Sequence, residues 1–315
     1  MIHKKMVGVD SHKNTIACFV NGKFKEFKTN TQNYKKAIQW APKNAHWCIE
    51  GAYSYGLSFS KFLLDSGCQV FEINALTTSR LRKIDSIAGS KNDYGDAKVI
   101  SIFANQTNLQ PVSLATVELK RKITSRKLFV KQRTELINHL KSYLVMSGKT
   151  VGFRSFTTQK SAKYFCGSDD SFLRNSGKML QLYNESIGVL DKEIEELLPA
   201  KALDLEQITG VGRLSAAIIY TELKGKRMSS GQLASYSGVS PVENSSGQTR
   251  QHRNNKRGNR ILNSIFYQMS LHQSRYDERG RAYFAKKLSE GKTKSHARKC
   301  LSRQLVNRVH NILFA

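Results

Sequence analysis

The chain of 315 residues carries 51 Lys and Arg against 24 Asp and Glu, a formal net charge of +27, and 39% of its residues are hydrophobic. That is length enough for two domains and apolar content enough for a core, which excludes wholesale disorder. A positive surplus of this size calls for a polyanionic partner, nucleic acid ahead of a membrane surface, because no basic amphipathic helix stands alone at either end. No apolar run is long enough to span a bilayer, and Met1 to Val9 lacks the apolar core of a signal peptide. Cys18, Cys48, Cys68, Cys166 and Cys300 are scattered without CxxC spacing. This argues against zinc and a disulfide framework, and for a reducing, cytoplasmic setting of the bacterial, nucleoid-associated type.

The elements follow in order. Met6 to Val9 is a short apolar strand that ends at Asp10, and Thr15 to Val20 is a second. Asn21-Gly22 is a strong hairpin signal, since both residues tolerate the positive φ of a type I′ turn. Lys23 to Lys28 then completes an antiparallel meander. Tyr34 to Trp40 is expected as a helix, His46 to Ile49 as a fourth strand running into Glu50, Leu57 to Leu64 as a helix stopped at Gly67, and Gln69 to Ile73 as a fifth strand. Asp93 and Asp96 open a further helix backed by Ala97, Val99, Ile100 and Phe103. Three antiparallel strands followed by helix, strand, helix, strand, helix is the order of an α/β, RNase H-like fold.

The middle differs. From about Val117 to Val145 the chain is helical and basic, with Ile123, Val130, Ile137 and Leu144 recurring at sevens. Ser147 to Gly167, rich in Gly, Ser and Thr, is expected as a loop or hinge. A second long helix carries Leu180, Tyr183, Ile187, Leu190, Ile194 and Leu197 at alternating threes and fours, a heptad seam. The seam closes a hairpin within one chain, joins two subunits, or does both. From Leu203 the chain is mainly helical, interrupted by a Gly/Ser-rich loop and a basic stretch. The expected division is residues 1–112 as an α/β metal-binding domain, 113–202 as a helical coiled-coil region and 203–315 as a helical C-terminal domain.

Four carboxylates carry the chemistry. Phosphoryl transfer with magnesium, or manganese in its place, needs hard oxygen ligands close together. Asp10 and Glu50 end two strands that are parallel neighbours in an RNase H-like sheet, so they converge. Asp93 and Asp96, three apart, share a helix face. Each alone is an ordinary turn or cap residue. All four on the right elements of so basic a protein indicate a metal site, and Glu50, following Trp47-Cys-Ile49, would be costly there without a partner. Ser11, His12 and Lys13 flank Asp10, and Lys13 is expected to be solvated.

These segments also resemble a known family. Val7-Gly-Val-Asp10-Ser-His-Lys13, Cys48-Ile-Glu50-Gly-Ala-Tyr53 and Lys91-Asn-Asp93-Tyr-Gly-Asp96-Ala97 are similar to the motifs of the DEDD transposases of insertion sequence 110 type elements, which include the Piv invertases. Ile208-Thr-Gly-Val-Gly212, Gly238-Val-Ser-Pro241, Ser245-Ser-Gly247 and Lys256-Arg-Gly-Asn-Arg260 resemble the C-terminal transposase domain of that family. The resemblance implies a RuvC-like domain whose four acids bind magnesium. It also implies a serine that attacks a DNA phosphate to form a phosphoserine link, and a structured guide RNA that bridges target and donor DNA. The matching serine is Ser246, with Ser245 beside it. Taken without the resemblance, Asn244-Ser-Ser-Gly247 is ordinary turn chemistry.

Other segments are candidates for binding. Ile208 to Ala216, with Gly210 and Gly212, resembles a helix-hairpin-helix, in which backbone N–H groups at a helix start meet phosphate. Arg250, Arg253, Lys256, Arg257 and Arg260 form a phosphate-binding candidate, because Glu243 is the only acid between Pro241 and Tyr276. The expected protein is a DNA recombinase, transposase or invertase, acting as a homodimer or homotetramer without a membrane. Its rivals are a RuvC-like nuclease that uses water and a nucleic-acid-binding protein with a decayed site.

Overall fold

The computed structural model describes residues 5–73, 75–85, 92–107, 109, 111–226, 228–246, 249–253, 255 and 258–314; residues 76, 84, 85, 243–246 and 249–253 are described by their backbone. Packing divides the chain into two units, residues 1–118 with 221–258, and residues 119–220 with 259–313.

The first unit is built on the meander β1 (Met6–Ser11), β2 (Thr15–Val20) and β3 (Lys23–Lys28). Asn21 and Gly22 turn β2 into β3 with φ of 49° and 78°, the left-handed pair that the Asn-Gly sequence anticipates. Helix α1 (Thr31–Trp40) follows, its first turn capped by the Asn30 side chain. Then come β4 (His46–Glu50), α2 (Leu57–Asp65), β5 (Val70–Ile73), α3 (Ala75–Asp85) and α4 (Asp93–Gln106). The sheet order is β3-β2-β1-β4-β5; β1 is antiparallel to β2 and parallel to β4, and β5 is parallel to β4. This mixed sheet with helices on its faces fits the RNase H-like layout.

Strand alternation gives the sheet two different faces. Val7, Val9, Trp47 and Ile49 point into one core with Tyr34, Phe59 and Leu63 of α1 and α2. Met6, Cys48, Phe71 and Ile73 point the other way and meet Ile100 and Ala104 of α4. Helix α4 lies against β1 so closely that a Cβ on Gly8 would overlap the Ala97 carbonyl oxygen and the Ser101 amide nitrogen. The Ser101 hydroxyl donates to the Met6 carbonyl at 2.7 Å, and Tyr94 sets its ring edge against Phe19 and Phe24. These contacts fix the start of α4 over the end of β1.

Beyond the sheet come α5 (Leu114–Met146), α6 (Gln159–Cys166), α7 (Ser171–Glu196), α8 (Ala200–Leu203), a 3₁₀ turn at Asp204–Gln207, and α9 (Arg213–Leu223). They are followed by α10 (Ser230–Tyr236), the hairpin β6 (Val242–Ser246) and β7 (Thr249–Arg253), then α11 (Arg260–Tyr276), α12 (Glu278–Ser289) and α13 (Lys294–Phe314). In the second unit α5 and α7 run side by side. Lys122 pairs with Glu193 at 2.7 Å, Arg126 pairs with Asp191, and Arg133 donates to Asn184 at 2.8 Å. Leu140, Leu144 and Leu180 are buried with Phe165 of α6. Much of the heptad seam is therefore buried within one chain, Ile187, Leu190 and Ile194 included.

Two expected loops are structured. Helix α6 occupies part of the Ser147 to Gly167 stretch, where Phe153, Phe156 and Phe165 cluster. The Gly/Ser-rich segment around Ser246 enters a β-hairpin, with Ser245 opposite Arg250 and Ser246 opposite Thr249. Asn, Ser and Gly favour turns locally, but a partner strand satisfies the extended backbone, and that partner is not visible in local composition. Among the described residues no helix is long and apolar enough to cross a membrane.

Candidate metal centre

Asp10 and Glu50 end adjacent parallel strands. The register pairs Val9 with Ile49, so the next residue on each strand is an acid. Alternation sends both acids to the face covered by α4. Asp10 is 6% exposed, and Glu50 is half-buried. Asp93 and Asp96 lie in the first turn of α4, which the Asn92 side chain caps by accepting from the Gly95 amide at 2.6 Å. Acids suit that turn, because the positive end of the helix dipole favours negative charge.

The three other acids bear electrostatically on Asp10. Burial is the largest influence on its carboxyl and raises it to about 6; His12 opposes, while Glu50, Asp96 and Asp93 add to the rise. A carboxyl crowded by three others in a desolvated pocket resists ionising unless a cation arrives.

Two further side chains belong to the cluster. His12 Nε2 stands 3.2 Å from Asp10 Oδ2 and 3.1 Å from Asp93 Oδ1. Arg82 of α3 binds Asp96, with Nε 2.6 Å from Oδ1; the aspartate is 3% exposed and the arginine 18%. Sequence reasoning noted His12 only as a neighbour of Asp10. The two-residue period of a strand, which puts positions 10 and 12 on one side, was the available signal. Arg82 had none. Helix α3 was not anticipated, since Ala75–Asp85 lacks an apolar period.

Asp10, His12 and Asp93 each present one ligand atom, all within 4.8 Å of one another. Two hard carboxylate oxygens and an imidazole nitrogen, beside two more acids, fit a divalent cation.

The other sequence candidates sit on later segments of the chain. Gly210 and Gly212 flank the turn between the 3₁₀ segment and α9. Gly210 has φ 92°, which a β-carbon would strain, and packs on His272, while Gly212 is exposed just before α9. The Thr209 carbonyl accepts from Gln273 Nε2 at 2.9 Å, and its hydroxyl donates to Asp277 at 3.2 Å, tying the turn to the end of α11. Arg260 is exposed at the first residue of α11. Ser246 ends β6, and Arg250 and Arg253 are in β7, in each case with the backbone alone described. Lys256 and Arg257 lie outside the described residues.

The chain's similarity to known proteins agrees with this geometry. A family model for the DEDD transposase of the IS110 type matches residues 7–147, and a second, for the transposase of the IS116/IS110/IS902 family, matches residues 202–285. The two cover more than two thirds of the chain, and the first spans all four acids. The protein is a transposase, an enzyme that recombines DNA. Within that class it belongs to the IS110-type DEDD transposases. A search of curated proteins returned no match.

Proposed function

We propose that this chain is a magnesium-dependent recombinase, transposase or invertase, in which a RuvC-like site of Asp10, Glu50, Asp93 and Asp96 acts with Ser246 as nucleophile. The observation that carries the metal site is the group of Asp10, His12 and Asp93, whose ligand atoms lie within 4.8 Å of one another, with Glu50 ending the strand beside Asp10 and Asp96 in the same helix turn as Asp93. When bound, a divalent ion there supplies Lewis-acid stabilisation of the phosphate and of the departing oxygen.

The chain's own residues supply the rest. Asp10 presents its oxygens from a buried strand and Asp93 from a capped helix start. The Ser246 hydroxyl gives up its proton as its oxygen bonds to phosphorus, the phosphorus–sugar oxygen bond breaks, and the leaving sugar oxygen takes up a proton. The phosphoserine link conserves the phosphodiester, so attack by a DNA hydroxyl restores serine and rejoins the strand. The resemblance of Ser245-Ser-Gly247 to the family motif supports Ser246. Support also comes from the grouping of residues 221–258 with the sheet in one packed unit.

Gly210, Gly212, Arg250, Arg253, Lys256, Arg257 and Arg260 are assigned to phosphate contacts, on the strength of the net charge of +27 and the exposed helix starts. A structured guide RNA is part of the reading through the family resemblance, and a cytoplasmic setting is part of it through the five scattered cysteines. Self-association as a homodimer or homotetramer draws support from a second apolar row on α7. Met179, Leu182 and Val189 are exposed there, beside Leu128 of α5.

A suicide DNA substrate tests the chemistry. Wild type should be trapped on DNA, Ser246→Ala should cleave nothing and trap nothing, and Asp10→Ala should bind DNA without cleaving it. Cleavage that survives in Ser246→Ala would overturn Ser246 as the nucleophile. Activity in Asp10→Ala would remove the metal site.

A further inference from the structure

We infer that His12 is itself a metal ligand, and that its nitrogen makes the site favour first-row divalent ions, manganese included, over magnesium. This rests on the metal centre proposed above, but it concerns a residue outside the four acids.

The argument starts from the strand. Gly8, Asp10 and His12 fall on the same side of β1 and its extension, under the start of α4. His12 thus reaches the pocket by the same alternation that delivers Asp10. Its Nε2 lies 3.2 Å from Asp10 Oδ2 and 3.1 Å from Asp93 Oδ1, and its side chain is 38% exposed, open to an incoming ion. In octahedral coordination, bonds of about 2.1 Å place neighbouring ligand atoms about 3.0 Å apart. The nitrogen therefore stands from each oxygen at the spacing of adjacent ligands on one ion, and all three ligand atoms lie within 4.8 Å of one another.

The donor chemistry gives the preference. Magnesium keeps to oxygen ligands, whereas the first-row divalent ions also accept an imidazole, manganese least strongly among them. A site with one imidazole among carboxylates discriminates against magnesium, and Mn²⁺, the weakest binder of the series, is the stringent probe of that preference. Asp96 is engaged by Arg82 at 2.6 Å. His12, Asp10 and Asp93 are thus the donors that already face one another. If His12 served only to hold the two carboxylates by hydrogen bonding, it would position them without touching the metal.

The experiment uses the full chain loaded with Mn²⁺ alone. Pulsed electron paramagnetic resonance should detect a directly bound nitrogen in wild type. That coupling should vanish in His12→Ala and in His12→Gln, the second of which keeps a hydrogen-bond donor but offers only oxygen as a ligand. By calorimetric titration, Mn²⁺ affinity should fall about tenfold or more in both variants, since even groups behind the ligands are worth about 10–100-fold. Mg²⁺ affinity should change less than about threefold. Tryptophan fluorescence confirms that the variants fold. Mn²⁺ bound without nitrogen coupling, or bound equally well by His12→Ala, would overturn the role of His12 and leave the carboxylate centre standing. Wild type that binds no Mn²⁺ would overturn both.

Discussion

Asp10→Asn removes a charge that the fold itself disfavours, and its consequence can be worked out in sign and size. In the unfolded chain the carboxyl titrates near the ordinary 3.8; in the folded protein burial and three nearby acids raise it to about 6. Between those values the folded state keeps a proton that the unfolded state has lost. The contribution of this group to stability is therefore greatest below about pH 4, falls as pH rises toward 6, and stays lower above that. The difference corresponds to about 3 kcal/mol. Asn at this position carries no such dependence. In EDTA at pH 8 the Asn variant should be more stable than wild type by about 2–3 kcal/mol, with the gap closing near pH 4. The readout is specific to this unit, because the only two tryptophans, Trp40 and Trp47, both belong to it, and Trp47 is 1% exposed in β4. Adding Mn²⁺ at 100 times its dissociation constant should raise wild-type stability by about 2.7 kcal/mol and leave the variant unmoved. An Asn variant no more stable than wild type at pH 8, or a gap of the same size at both pH values, would refute the reasoning.

Two other substitutions probe how the acids are held. Gly8→Ala places a β-carbon in the backbone of α4 at Ala97 and Ser101, so the helix carrying Asp93 and Asp96 must shift. It should cost about 3 kcal/mol or more in urea unfolding, and a loss below about 1 kcal/mol would show that the close packing is not required. Arg82→Ala leaves the Asp96 carboxylate buried without its cation and should destabilise the metal-free protein by about 3 kcal/mol, a loss that Mn²⁺ partly reverses. Equal melting temperatures for Arg82→Ala and wild type in EDTA would mean that the pair contributes nothing.

Much of the fold was legible locally. The five strands and their turn followed from alternation and from Asn21-Gly22, and the helix opened by Asp93 followed from its apolar backing. What escaped were elements stabilised by partners. Helix α3 has a weak pattern, α6 is held by an aromatic cluster, and the hairpin carrying Ser246 joins turn-forming residues to a strand they cannot specify alone. The seam of α7 was visible, but two rows of apolar residues on one helix do not reveal which is buried. The ion pairs of Lys122 and Arg126 and the hydrogen bond of Arg133 with α7 show that α5 takes one of them.

For the site, the sequence by itself determined which acids sit at the ends of which elements, because a strand end and a helix start are set by short-range pattern. That two parallel strands bring Asp10 beside Glu50 followed once the strand order was read. Tertiary structure alone decided the rest. The contact of α4 with Gly8 sets Asp93 opposite His12, and a helix with no sequence signal delivers Arg82 to Asp96. Those relations depend on distances between segments about 14 to 80 residues apart, and no local periodicity encodes such distances.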